Sequence, residues 1–158
     1  MERWRESRVD EPVATELLGE YFDGRAAGFP VQQGTYRTAS PQPEDFLPPR
    51  GVFLIAAGDD GRDLGCGGVR LLVSGSPDGP RFELKHLYLR PAARGRGLGR
   101  ALLAELESRA RDFGALELVL DTNASLEAAG GLYRSSGYSD IPPYNDNPNA
   151  TNWYRKVL

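Results

Sequence analysis

The sequence predicts a mixed α/β chain folded as a single domain over residues 1–158. Three observations carry that prediction. Strand-like runs follow one another at residues 52–57, 64–73 and 82–89 with polar turns between them, which makes an antiparallel meander. From residue 82 to residue 121 the order becomes strand, amphipathic helix, strand, the pattern of a parallel crossover. No repeat, linker or low-complexity tail interrupts the chain, and its length suits one domain with a core of ordinary size.

Residues 3–9 carry a weak strand pattern. Pro12 then opens a helix whose apolar face is Val13, Leu17, Leu18 and Tyr21, and Asp23-Gly24 and Gly28-Phe29-Pro30 are expected to break it. Residues 31–50 hold Pro41, Pro43, Pro48 and Pro49 with Tyr36 and Phe46, and read as a long loop with a helical turn at Pro43–Phe46. Loops of this length in compact domains commonly carry function or motion. Within the second strand of the hairpin, Gly65, Gly67 and Gly68 cost stability, so a bulge or a close backbone approach is expected there. Residues 74–80 read as the next turn.

Leu98, Leu102, Leu106, Ala110 and Phe113 recur at about four-residue spacing, the buried stripe of a helix, and Gly114 stops it. Residues 116–121 form the following strand. A second helix is predicted over residues 126–136, with Ser125 as its N-cap and Gly137 as its stop. The tail contains Pro142-Pro143 and several Asn before a last strand-like run at residues 153–158.

Between the strand at 82–89 and the helix lies Arg94-Gly95-Arg96-Gly97-Leu98-Gly99-Arg100. Alternate glycines let a ligand approach the backbone, and the turn opens into a helix start whose N–H groups have no intrahelical acceptors. With its three Arg this makes an anion site suited to a phosphate or pyrophosphate. A Walker loop would end Gly-Lys-Ser/Thr, and this one ends Gly-Arg-Ala. The dinucleotide fingerprint needs a glycine where Arg100 stands, although Asp121 could be its acidic partner, so it stays open as an alternative. An Arg-rich turn that merely caps a helix is the plain alternative.

The net charge of −3 argues against a dedicated nucleic-acid binder. Cys66 is the only cysteine, which excludes an internal disulfide, and with His86 as the only histidine no zinc ligand set exists, so no metal is expected. The charged N-terminus and the lack of any 18-residue apolar run point to a cytoplasmic protein without membrane association.

Three segments stand in order: Glu83-Leu84-Lys85-His86-Leu87-Tyr88-Leu89-Arg90-Pro91, then Arg94-x-x-Gly97-x-Gly99, then Leu132-Tyr133-Arg134-Ser135-Ser136-Gly137-Tyr138. In these the chain resembles the GNAT superfamily of acetyl-CoA-dependent N-acyltransferases, over at least residues 53–158. The resemblance implies a splayed, mostly antiparallel central sheet flanked by helices. The strands before and after the loop-helix unit would part like a V, with acetyl-CoA as cosubstrate in the gap. Backbone groups of Arg94, Gly95, Arg96, Gly97, Leu98, Gly99 and Arg100 would hold the pyrophosphate. Those of Leu87, Tyr88 and Leu89 would meet the pantetheine arm and polarise the acetyl carbonyl.

The same resemblance assigns Glu83 as general base or proton relay and Tyr133 as general acid toward the CoA thiolate. Glu83 as an edge-strand charge or an ammonium-binding group, and Tyr133 as a packing aromatic, remain the plain alternatives. Relatives often carry Asn or Gln seven residues before the Tyr; here that position is Leu126, and Asn123 is the candidate replacement. Strict alternation would set Glu83, Lys85, Leu87 and Leu89 on one face, a mixed set that a bulge would reconcile, with a packed or surface His86 on the other.

Tyr36, Tyr144 and Trp153 are candidates for the acceptor pocket, most of the tail Asn being read as turn formers. The expected function is acetyl transfer to a primary amine of a small molecule or protein. A catalytically silent acyl-CoA-binding sensor or interaction module is the alternative. Neither nucleic acid nor membrane is an expected partner, and pairing as a homodimer through late strands is an arrangement the resemblance allows.

Overall fold

The computed structural model describes residues 3–158. Its elements are β1 (Trp4–Glu6), α1 (Pro12–Gly28), β2 (Gly51–Ala57), β3 (Asp63–Ser76), β4 (Gly79–Leu89), α2 (Leu98–Asp112), β5 (Glu117–Thr122), α3 (Glu127–Ser135), β6 (Ser139–Asp140) and β7 (Asn152–Val157). The seven strands form one sheet in the order β1-β2-β3-β4-β5-β7-β6. Every neighbouring pair is antiparallel except β4 and β5, which the α2 crossover makes parallel. The mixed α/β class and the mostly antiparallel sheet are as expected.

β2 is buried along its whole length, which is why its sequence is a continuous apolar run instead of an alternating one. One face of the sheet carries Val52, Leu54, Val69 and Leu84 against Leu102 and Leu106 of α2. The other carries Phe53, Ile55 and Cys66 against Leu17 and Leu18 of α1 and Phe46, which sits in the 3₁₀ turn Pro43–Phe46.

Four local expectations need correction. α1 does not stop at Asp23-Gly24 but continues to Gly28, because Phe22 packs on the sheet and Arg25 is buried beyond it. Those tertiary contacts outweigh the ~1 kcal/mol that a helical glycine costs. Ser125 is not an N-cap: its hydroxyl donates to Asn123 Oδ1 at 2.8 Å, and Leu126 occupies the cap position without a side-chain bond. The turn after β3 is shorter than residues 74–80, since pairing continues to Ser76 and Gly79. A two-residue strand, β6, adds to the sheet edge beside β7.

Two irregularities position everything that follows. β4 and β5 pair only through Arg81, Phe82 and Glu83 with Glu117, Leu118 and Val119, although β4 runs on to Leu89 and β5 to Thr122. Beyond Glu83 the strands separate, so the sheet is splayed. The closed end of this V is stapled by the buried Glu117 carboxylate, which accepts from Arg81 Nε at 2.7 Å and from Arg155 Nε.

The second irregularity lies in β4 itself. Gly68 pairs with Lys85 and Cys66 with Tyr88, so His86 and Leu87 together oppose Gly67, with His86 at φ +58°. This bulge moves Leu87 to the α2 side with Phe82 and Leu84. It also overturns the placement of His86 opposite Glu83. The extra residue shifts the phase, and His86 packs against Tyr21 and Phe22 of α1.

The β3 glycines are demanded by close packing here: a Cβ on Gly65 would lie 2.3 Å from the Tyr88 carbonyl oxygen, whereas one on Gly24 of α1 would meet nothing within 4 Å. Gly65→Ala should therefore destabilise the protein by about 1–3 kcal/mol. Gly24→Ala should stabilise it by about 0.5–1 kcal/mol. Urea unfolding midpoints should move in opposite directions for the two variants.

Candidate active site

The loop after β4 forms a built anion cradle. Gly95 and Gly97 both sit at φ +80°, a conformation that costs an L-residue about 1–2 kcal/mol, and space for a Cβ is open at each. Gly97 occupies the N-cap of α2, and the first backbone bond into the helix runs from Ala101 N–H to Gly97 O at 3.1 Å. Among the described residues the N–H groups of residues 95–100 have no acceptor, so a row of donors lies at the positive end of α2. This donor set fits a pyrophosphate. Leu98 contributes only its backbone, since its side chain is buried.

The three loop guanidiniums are tied down at the edges of the cradle. Arg94 donates to the Leu89 carbonyl at 2.9 Å and lies over the Tyr88 ring, and Arg96 donates to the Ala92 carbonyl at 3.0 Å. Arg100 reaches the Ser135 and Ser136 hydroxyls of the α3 end at 2.8 and 3.1 Å. Arg90 N–H bonds Leu64 O toward β3, so strand alternation turns the backbone groups of Leu89 toward the gap. The Tyr88 side chain lies instead on the α1 side, where its hydroxyl donates to Glu20 at 3.1 Å.

Where β4 and β5 part, a cavity of about 470 Å³ opens between α1, the two strands, α3 and the tail. That size is ordinary for a small-molecule site. Tyr133 borders it from α3, 7 % exposed, with no hydrogen-bond partner for its hydroxyl among the described residues. Burial holds its phenol above the ordinary tyrosine range, so it carries its proton at neutral pH and has one to donate. Leu87 borders the cavity from the bulge, and Tyr36 does so from the long loop, its ring under the Arg25 guanidinium at 5.0 Å.

Three sequence candidates fall behind the wall. Glu83 is 1 % exposed and does not border the cavity. Its Oε1 accepts from Arg70 at 2.8 and 3.0 Å, and its Oε2 accepts from the Tyr144 hydroxyl at 2.6 Å. Each oxygen is engaged, so Glu83 and Tyr144 hold each other behind the cavity wall. Trp153 donates from Nε1 to Asn145 Oδ1 at 2.9 Å, and Asn145 in turn donates to Asp121 at 2.7 Å. Asn123 is corrected too: its amide donates to Gln33 at 2.7 Å and to the Asn149 carbonyl at 3.1 Å, and its oxygen accepts from Ser125. Its side chain clamps loop to tail.

Asp121 and Arg25 also border the cavity; the sequence offered Asp121 only as the acidic partner of a dinucleotide site and gave Arg25 no role. Asp121 lies near the end of β5, two residues past the last β4 pair, and faces Lys85 Nζ at 3.9 Å. A carboxylate after the apolar run Leu118-Val119-Leu120 was the available signal. For Arg25 there was none, since the expected helix ended before it.

A splayed sheet, a crossover helix with bare N-terminal amides and a cavity at the point of divergence define an acyltransferase fold. The chain matches the model of the Acetyltransferase (GNAT) family over residues 13–138 and belongs to that family. An uncharacterized N-acetyltransferase of Schizosaccharomyces pombe is 34% identical over 132 residues, 84% of this chain and 78% of that protein. An aminoglycoside N(6')-acetyltransferase of Stenotrophomonas maltophilia is 33% identical over 93 residues, 57% of this chain and 61% of its own. A GNAT-family acetyltransferase structure from Staphylococcus aureus superposes with a TM-score of 0.73 at 16% identity, covering 98% of this chain and 99% of that one, which speaks to fold alone. The protein is thus an acyltransferase of a family that uses acyl-CoA.

Among the described residues no helix is long and apolar enough to cross a membrane, and no group of three or more His, Cys, Asp or Glu is placed to hold a metal ion.

His86 is 8 % exposed, its Nδ1 is sealed without a partner, and burial lowers its pKa from 6.5 to about 3. The unfolded chain therefore takes the proton first as pH falls. Its stability contribution is full above about pH 6.5 and is lost as pH drops toward about 3. The single histidine's NMR resonances should not titrate between about pH 5 and 8. Glu83→Gln should cost about 3 kcal/mol in urea unfolding, because it leaves Arg70 with only the 3.6 Å contact to Asp45.

Proposed function

We propose that the protein transfers the acetyl group of acetyl-CoA to the primary amine of a small molecule. The observation that carries this reading is the row of unpartnered amides at the start of α2, set at the mouth of the gap between β4 and β5. The donor supplies a thioester, and the chain's residues supply the rest. The amides of residues 95–100 bind the diphosphate. The open edge of β4 past the bulge presents backbone groups of Leu87 and Leu89 to the amide-bearing arm.

The acceptor enters through the cavity. Asp121, the sheet-borne carboxylate that borders it, holds the ammonium and receives its proton, directly or through water. The free amine forms a C–N bond to the acyl carbon as the C–S bond breaks. Tyr133, kept protonated by burial, donates to the departing sulfur, and the proton that the acylated nitrogen sheds restores the phenol, directly or through water. Glu83 acts in this reading as a positioning residue, fixing Arg70 and Tyr144 behind the reacting groups.

The test is CoA release across a panel of amines. Tyr133→Phe should lower kcat by about 100-fold or more with little change in KM for acetyl-CoA. Gly97→Glu places a carboxylate against the diphosphate at a strained φ, and should raise KM for acetyl-CoA while the chain stays folded. Native turnover in both variants would contradict the reading.

A further inference from the structure

Arg25 presents an unusual electrostatic situation. Its residue is 9 % exposed, yet among the described residues its guanidinium makes no salt bridge and no side-chain hydrogen bond within normal distance. Its guanidinium lies over the face of Tyr36 at 5.0 Å and beside the Tyr21 phenol, both neutral groups. A buried cation is ordinarily paired, because taking it out of water costs several kcal/mol. An exposed arginine would not call for explanation; this one does. It borders the acceptor cavity, and because its nitrogens are neither bonded nor fully sealed, the cavity is where their donors are available.

The other charges around the cavity are already matched. Arg70 is taken by Glu83 and Asp45, and Lys85 faces Asp121. Arg37 and Asp146 lie at the exposed rim, where water screens them. One buried positive charge is thus left over on the α1 wall, while a carboxylate, Asp121, stands on the β5 wall. Arg25, Asp121 and Tyr133 border the same cavity, so the two charges stand on different walls of one space.

We propose that the acceptor is an amino acid-type molecule whose carboxylate is bound by Arg25 while its ammonium is directed toward Asp121. This rests on the acetyl-transfer reading and narrows its acceptor class. The planar guanidinium offers the paired donors that a carboxylate accepts, and a single surplus charge matches a monoanion better than a phosphate dianion. A polycationic acceptor such as an aminoglycoside would instead set an ammonium against an uncompensated guanidinium in a confined cavity.

Binding is measured without turnover, by calorimetry of the CoA-loaded protein with N-acetyl amino acids of graded side-chain size, each against its own carboxamide. For at least one side chain the acid should bind at least about tenfold more tightly than the amide, as expected for a charge-assisted pair. The difference should vanish in Arg25→Gln and be largely restored in Arg25→Lys. Arg25→Gln should melt at or above the native temperature, since it removes an unpaired buried charge; a structural arginine would give a lower one. Equal binding of acids and amides, no binding of either, or a preference that survives Arg25→Gln overturns the proposal, and the native comparison needs no variant to fold. Tighter binding of O-phosphoethanolamine than of every carboxylate overturns it as well.

CoA release with free amino acids, their carboxamides and an aminoglycoside separates this inference from the reading beneath it. Release only from amines that lack a carboxylate keeps acetyl transfer and sinks the Arg25 assignment. No release from any amine, with the acid-over-amide preference intact, sinks acetyl transfer and leaves the carboxylate site standing.

Discussion

β4 and β5 share a ladder over three residue pairs and then separate, and the rest of the molecule follows from that separation. At the closed end Glu117 is locked between Arg81 and Arg155, so the strands cannot drift apart as a whole. At the open end the bulge at His86 and Leu87 changes the direction and phase of β4. Backbone groups along the parted edges cannot satisfy one another, and a buried peptide edge is costly unless something polar runs beside it. An extended arm bearing its own amides is the chemistry that such an edge accepts.

The α2 helix completes the device because the crossover that makes β4 and β5 parallel also sets a helix N-terminus at the open end of the V. Its amides lack acceptors by geometry, as in any helix, and the positive φ of Gly95 and Gly97 turns that general shortage into a shaped site. On the far side of the gap, α1, α3 and the tail close a cavity whose polar groups differ in kind. Tyr133 is kept protonated by burial, Asp121 is held by Asn145, and Arg25 has no salt-bridge partner among the described residues. The first two suit a proton-transfer centre. The third distinguishes this chain's acceptor chemistry from the shared handling of acyl-CoA.

Much of this was legible beforehand. The meander, the crossover, the glycine loop and even the bulge in β4 could be read because each has a local cause: period-two alternation, a four-residue stripe, glycines where a Cβ cannot go, or a mixed face that strict alternation could not explain. The site was read less evenly. Tyr133 comes to the cavity as the Leu-Tyr-x-x-x-Gly-Tyr segment implied, but Glu83 is sealed by Arg70 and Tyr144, and Asn123 is used up in clamping Gln33 and Asn149. Those partners lie up to 90 residues away for Asn123, and no local pattern announces them. Arg25 was missed because the helix was expected to stop before it, and Asp121 was read only as a dinucleotide partner because nothing local showed which cavity it would border.

The sequence by itself determined which segments become strands and helices and where a diphosphate-binding backbone would stand, because periodicity, glycine placement and helix ends act over a few residues. Only the tertiary structure decided which side chains share the cavity and which are neutralised behind it. Hydrogen bonds and charge pairs between distant segments set that division, and the energy of a charge depends on what has been brought beside it. Arg25 is an ordinary residue on a helix until folding buries it without a partner.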